Sequence, residues 1–273
     1  LSQDVSDMQI MRQDFLNALD EVKPAFGIAS EEFEQYAGNE IIEYAPHVAY
    51  TLQEMRLLVE QVRENSRSPL VSLLLHGQSG CGKTALAATI ARSSAYPFVK
   101  LISPVMIIGF TDSQKVSFIT KVFNDSYKSP LSLIVMDDIE YLLGWVPLGA
   151  RFSSAILQAL QALVKKQPPA GRRLLIIGTT SKRDVLAQME MTLDFSNEIC
   201  IESICKLDAL KKAIRHANLF DDDAAYAPLF SDLADYLHGR AFSVGIKKLL
   251  QLVENARQDP DCHSRFFSKF CAI

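Results

Sequence analysis

The run Gly77-Gln78-Ser79-Gly80-Cys81-Gly82-Lys83-Thr84 fits the pattern G-x-x-x-x-G-K-[S/T] in full. Glycines let such a backbone curl until its N–H groups converge, and a helix beginning just after adds the positive end of its dipole. That arrangement cradles phosphate oxygens. Lys83 is placed to reach the β- and γ-phosphates of a nucleoside triphosphate, and the Thr84 hydroxyl supplies a hard oxygen for Mg²⁺. Ala85 and Leu86 continue the same binding segment into the helix. A glycine-rich turn with incidental lysine and threonine is the weaker reading, because the apolar run Val71 to Leu75 leads straight into the glycines and a helical pattern follows from Lys83. A thiol beside a helix N-terminus and a lysine can alkylate readily. The Cys81 position also simply suits a small residue, and that is the preferred reading of its role.

A second chemical signal lies downstream. Leu131 to Met136 is an apolar run that ends in Asp137-Asp138-Ile139-Glu140, as in a Walker B strand lying beside the P-loop strand. Asp137 would hold the magnesium ion's water shell. Asp138 occupies the position from which a carboxylate orients and polarises the attacking water. Efficient ATPases usually carry glutamate there, one methylene longer. A displacement of about 1 Å in a catalytic group costs on the order of 100-fold in rate, so slow hydrolysis is expected.

The elements that must position these residues follow from periodicity. Apolar strand-like runs at 71–75, 98–102, 131–136, 174–178 and 198–201 alternate with helical patterns from Lys83, through Phe118, Val122 and Phe123, from Phe152 to Lys165, and from Lys182. Parallel strands need crossover helices, so the alternation predicts an α/β fold with a five-stranded parallel sheet sandwiched by helices. Ahead of it, Val48, Leu52, Met55, Val59 and Val62 are spaced as a helix that ends in a polar linker at 64–69. A helical pattern also covers residues 4–22. After residue 205 the pattern is helical only, at 207–217, 226–237, 244–256 and 266–270. The expected division is therefore 1–27 as a tail and linker, 28–204 as the nucleotide-binding α/β domain, and 205–273 as a small α-helical lid.

Composition excludes several classes. The 273 residues are 48% hydrophobic and 22% charged, which suits a large buried core. A formal net charge of −4 without long Lys/Arg runs leaves no electrostatic footprint for nucleic acid. Five cysteines at 81, 200, 205, 262 and 271 offer neither a CxxC pair nor a zinc spacing, and they read as reduced thiols of a cytoplasmic protein. No apolar run approaches the roughly 20 residues that span a bilayer, so membrane association would have to pass through a partner.

With Gly178-Thr179-Thr180-Ser181 following the P-loop and the acidic pair, the chain resembles an AAA ATPase domain. The segments KPAFG (23–27), GKTALAATIA (82–91), DDIEYLL, RRLLIIGTTSKRDVL and GIKKLL narrow the resemblance. They are similar to the second ATPase domain of the N-ethylmaleimide-sensitive fusion factor family, cytosolic hexamers that dismantle SNARE complexes after vesicle fusion. The similarity covers 23–257. Residues 14–24 resemble the close of a preceding AAA domain's lid, which implies that the chain is a C-terminal piece of a longer protein whose adaptor-binding surface lies elsewhere.

The resemblance assigns further residues. Asn39, Glu40, Ile41, Ile42, Glu43 and Tyr44 match the stretch that lies along the adenine, and Gly245 and Ile246 match lid residues that close over the base. Lys247 falls near the second sensor position, where a cation contacts phosphate; a solvated helix face is an equally good reading. Ser79 and Gly80 belong to the phosphate loop. Ser181 stands where AAA engines usually carry an asparagine that helps to position water. Where many carry an arginine finger this chain has Asp194-Phe195-Ser196-Asn197-Glu198, so the finger is missing, at a cost of about 10³ to 10⁵ in rate in related systems. Arg151 and Lys165 are the candidate cations toward a neighbour's phosphates. The substrate-gripping loop lacks its aromatic, reading Ile107-Ile108-Gly109.

Two functions fit. In one, ATP with Mg²⁺ is chiefly a ligand whose binding stabilises a homo-hexamer by mass action, with weak hydrolysis. In the other, the domain is an active motor remodelling another protein complex. A P-loop kinase or a clamp loader acting on nucleic acid fits the cradle, but not the helical lid or the acidic charge.

Overall fold

The computed structural model describes residues 11–12, 33–34, 36, 41–64, 67–148, 151–220 and 222–272. Most of the helical pattern over 4–22, and the base-side residues Asn39 and Glu40, lie outside the described residues.

All five apolar runs form strands: β1 (Leu70–His76), β2 (Phe98–Ile102), β3 (Leu131–Met136), β4 (Arg173–Thr180) and β5 (Asn197–Cys200). They pair in parallel in the order β2-β3-β4-β1-β5. The order corrects one expectation. The acidic strand β3 is not beside the P-loop strand β1, because β4 pairs with both and separates them. The C-terminal end of β4, Thr179-Thr180-Ser181, is thereby set between the phosphate loop and the two aspartates.

Helices cover both faces of the sheet, so residues of β1 to β4 are mostly apolar on both sides, while the edge strand β5 is largely exposed. On one face, α1 (Pro46–Glu64) and α2 (Lys83–Ser93) pack Leu52, Met55, Val59, Leu86 and Ile90 against Leu73, Leu75, Val135 and Ile177. On the other, α3 (Asp112–Ser126), the single turn α4 (Ile139–Leu142) and α5 (Ser154–Lys165) pack Ile119, Phe123, Leu142, Ile156 and Leu160 against Leu74, Ile134 and Ile176. α5 begins two residues later than its pattern suggests, because Ser153 caps it by accepting from the Ile156 amide. A short helix α6 (Arg183–Gln188) follows β4.

Beyond β5 come α7 (Leu207–His216), α8 (Tyr226–Leu237), α9 (Ile246–Arg257) and α10 (Cys262–Cys271). They share a third core of Leu210, Ile214, Leu229, Leu233, Leu249, Val253, Phe266 and Phe270. Tyr44 and Val48 join this core from ahead of β1. An antiparallel bridge between Ile204 and Val244 ties the start of the helical unit to the segment entering α9. Among the described residues no helix is long and apolar enough to cross a membrane.

Candidate functional site

The phosphate loop ends on Gly82, whose φ of 93° lies in the left-handed region that a side chain disfavours. Gly82 caps α2 with no side-chain hydrogen bond, and no acidic residue stands in the helix's first turn. The positive helix end is therefore aimed at the cleft with no acidic side chain of its own first turn upon it, which suits phosphate. Lys83, 4% exposed, folds its ammonium back over the loop. It donates to the carbonyls of Gly77 at 3.0 Å and Gln78 at 2.9 Å and to the Ser181 hydroxyl at 3.0 Å. Burial pushes the Lys83 pKa down, against the opposing pull of the Asp138, Glu140 and Asp137 carboxylates.

Those carboxylates are held by the end of β4. Asp137 Oδ1 accepts from the Thr84 hydroxyl at 2.7 Å and from the Thr179 hydroxyl at 2.8 Å. Thr179 Oγ1 in turn accepts from the Asp138 amide at 2.9 Å. Thr84 and Asp137 thus bring two hard oxygens together, a donor set that suits Mg²⁺. Asp138 sits at φ 47°, ψ 61°, in the left-handed region that few residues besides glycine, asparagine and aspartate adopt. Its pKa is raised to about 6, first by burial, then by Asp137 and Glu140. Its carboxylate faces the same space as Lys83.

Ser181 is reached from a direction that the sequence did not reveal. Glu140, wholly buried, accepts from the Thr180 hydroxyl at 2.7 Å and from the Ser181 amide at 2.8 Å. Only its place just after the aspartates could have drawn attention to it; its partners are 40 and 41 residues away.

These groups open on a cleft of about 1090 Å³, lined along its phosphate end by Ser79 through Leu86, Asp137, Asp138 and Ser181. The base-side wall is made by Ile41, Ile42, Tyr44 and His47, and the lid contributes Ile246, Lys247 and Leu250. Mostly apolar walls with a few polar groups suit a purine. Glu43 is exposed and outside this lining. The Tyr44 hydroxyl donates to the Glu202 carbonyl at 3.2 Å, and burial raises its pKa to about 12. Gly245 packs on the loop, where an added Cβ would come within 2.9 Å of the Gly80 carbonyl oxygen. Gln78 Oε1 accepts from Ser203 at 2.8 Å and from the lid's Ser243 at 3.2 Å. Cys81, 3% exposed, faces the core with its sulfur 3.4 Å from the Ser203 hydroxyl.

The candidates toward a neighbour lie apart from this cleft. Lys165 is paired with Asp194 at 2.5 Å, and that carboxylate's side chain is only 2% exposed. Arg151 is exposed at the mouth of α5, its backbone bridged to Val146. The segment 194–198 carries no cation and is used structurally: Phe195 packs under Gly178, and the Ser196 hydroxyl exchanges hydrogen bonds with Ser72. In the loop after β2, Ile107 is buried and Ile108 is 75% exposed.

A phosphate loop leaving an interior parallel strand, an acidic pair two strands over with β4 between, and a helical lid resting on the loop define a P-loop nucleotide-binding module of the AAA type. Residues 73–202 match the ATPase family associated with various cellular activities (AAA). The chain is 43% identical over 266 residues to the vesicular-fusion protein sec18 of Schizosaccharomyces pombe, a match covering 97% of this chain and 34% of that protein. It is 44% identical over 260 residues to SEC18 of Saccharomyces cerevisiae, covering 95% and 34%. To the vesicle-fusing ATPase of Dictyostelium discoideum it is 42% identical over 253 residues, covering 93% and 33%. The chain carries an AAA-family ATPase domain similar along nearly its whole length to the vesicle-fusing ATPases, and it spans about a third of the length of the curated relatives it matches.

Proposed function

We propose that this chain is the second AAA domain of a SNARE-disassembling ATPase, and that it binds ATP with Mg²⁺ chiefly to hold a homo-hexamer together while hydrolysing it slowly. The observation that carries the reading is that phosphate loop, base wall and lid converge on one cleft, so a single ligand can join all three. Lys83 and the start of α2 would hold the phosphates, Ile41, Ile42, Tyr44 and Ile246 the base, and Thr84 with Asp137 the magnesium ion. Bound there, Mg²⁺ would neutralise charge on the phosphate oxygens. Glu43 and Gly245 would act through their backbone, while Asn39 and Glu40, assigned to the base by the resemblance alone, lie outside the described residues.

Slow hydrolysis is favoured by three features. Asp138 is short and fixed in a strained conformation. The Ser181 hydroxyl is engaged by Lys83. The 194–198 segment is committed to packing and offers no arginine. Arg151 is the better candidate to approach a neighbour's phosphates, since the Lys165 ammonium already has a buried carboxylate to satisfy.

Light scattering on the 273-residue chain tests the reading. ATP with Mg²⁺ should raise the molar mass to six subunits, and Lys83→Ala should abolish the rise. A mass independent of nucleotide would sink the assembly role. A turnover near the enzyme median of about 10 per second would instead favour an active motor.

A further inference from the structure

Ser181 lies one residue beyond the sheet ladder. The β1–β4 register closes at the pair His76 and Thr180, so the next amide of the chain has no strand partner. That amide donates to Glu140 Oε1 at 2.8 Å, and Glu140 Oε2 accepts from the hydroxyl of Thr180 at 2.7 Å. The Thr180 oxygen also accepts from the Lys182 amide at 3.0 Å, which closes the turn that carries Ser181. A carboxylate buried this fully is costly unless its oxygens are well bonded. The two oxygens of Glu140 address two successive residues of one strand end, a fork that aspartate is too short to span.

We propose that Glu140 is a positioning residue for the phosphate end of the cleft: it pins the main chain at Thr180–Ser181 so that the Ser181 hydroxyl meets the Lys83 ammonium. The inference rests on the reading of this cleft as an ATP site. Glu140 touches no ligand itself. Its effect passes through Ser181 and Lys83, the pair expected nearest the terminal phosphate. It should therefore be felt in the discrimination between ATP and ADP, and less in the affinity for either base or ribose.

The test compares the Kd of the full chain for ATP and for ADP, with Mg²⁺, by isothermal titration. Losing one charge-assisted contact should reduce the preference for ATP over ADP by roughly tenfold in both Glu140→Ala and Ser181→Ala. The double variant should fall no further, because both remove the same contact. Glu140→Gln keeps one oxygen for the Ser181 amide and should stay within about threefold of the parent. Should Glu140→Ala fail to fold, Glu140→Asp serves in its place. A loss of affinity equal for ATP and ADP, or effects of Glu140 and Ser181 that multiply, would make Glu140 merely structural and overturn the proposal. If the parent chain binds neither nucleotide, the reading of the cleft fails first; if the parent binds both normally and only the predicted change in preference is missing, the positioning role alone fails.

Discussion

The Lys247 amide donates to the Gly80 carbonyl at 3.0 Å, so the first turn of α9 rests directly on the phosphate loop. Two residues earlier, Gly245 has an ordinary φ of −73°, and its need for glycine comes only from proximity to the loop backbone. Gly245→Ala should therefore leave the sheet intact but lift the lid, weakening ATP binding by roughly tenfold and exposing the segment 238–246 to protease. Titration calorimetry and limited proteolysis check this together. Unchanged affinity would mean that the lid contact contributes nothing to binding.

Asp138 couples the site to pH. Its folded pKa of about 6 lies above the ordinary 3.8, so the folded chain binds the extra proton between those values. Stability then falls as pH rises through that window, and the cost is complete above it. Asp138→Asn removes the charge and keeps a residue that tolerates the left-handed conformation. Without nucleotide, its Tm should exceed the parent's by a few degrees at pH 7.5, and by little at pH 4. A gain that persists at pH 4 would point to relief of backbone strain alone.

Restoring the longer acid asks whether reach limits the chemistry. Asp138→Glu should raise single-turnover hydrolysis by roughly tenfold with little change in the Kd for ATP. No increase would move the limitation to the missing arginine.

The two exposed cations should behave differently. Lys165→Ala leaves the buried Asp194 carboxylate without its partner and should lower Tm by a few degrees, with hydrolysis per folded site unchanged. Arg151→Ala should cost no stability and should reduce hydrolysis only under conditions where the chain assembles. A rate loss at monomer concentrations would place Arg151 in its own subunit's site instead.

Maleimide labelling read by mass spectrometry should modify Cys200 and Cys205, both exposed, well before Cys81, which is buried beside Ser203. Fast reaction at Cys81 would show that the loop opens readily.

The parts that the sequence made legible are those where residue type and short spacing carry the physics. Continuous apolar runs located all five strands, and the glycines and lysine at 77–84 located the phosphate loop. What it hid depends on pairing across the chain. Nothing in the runs said that β4 would insert between β1 and β3, yet this brings Thr179 to Asp137. Glu140 carries no role in the sequence beyond closing the acidic run, and only the hydrogen bonds from Thr180 and Ser181 reveal one. Lys165 reads as a free cation for a neighbour's phosphates because the carboxylate that holds it lies 29 residues away at Asp194.

The base-side wall has two allegiances. Ile41 and Ile42 line the cleft, while Tyr44 beside them is rooted in the core of the lid helices with Leu229, Leu249 and Phe266. Residence time of a bound nucleotide is therefore a property that can be inherited from residues it never meets. A methyl group lost from that distant core would soften the wall, and a sequence could retune how long it keeps its ligand while every contact atom stayed the same.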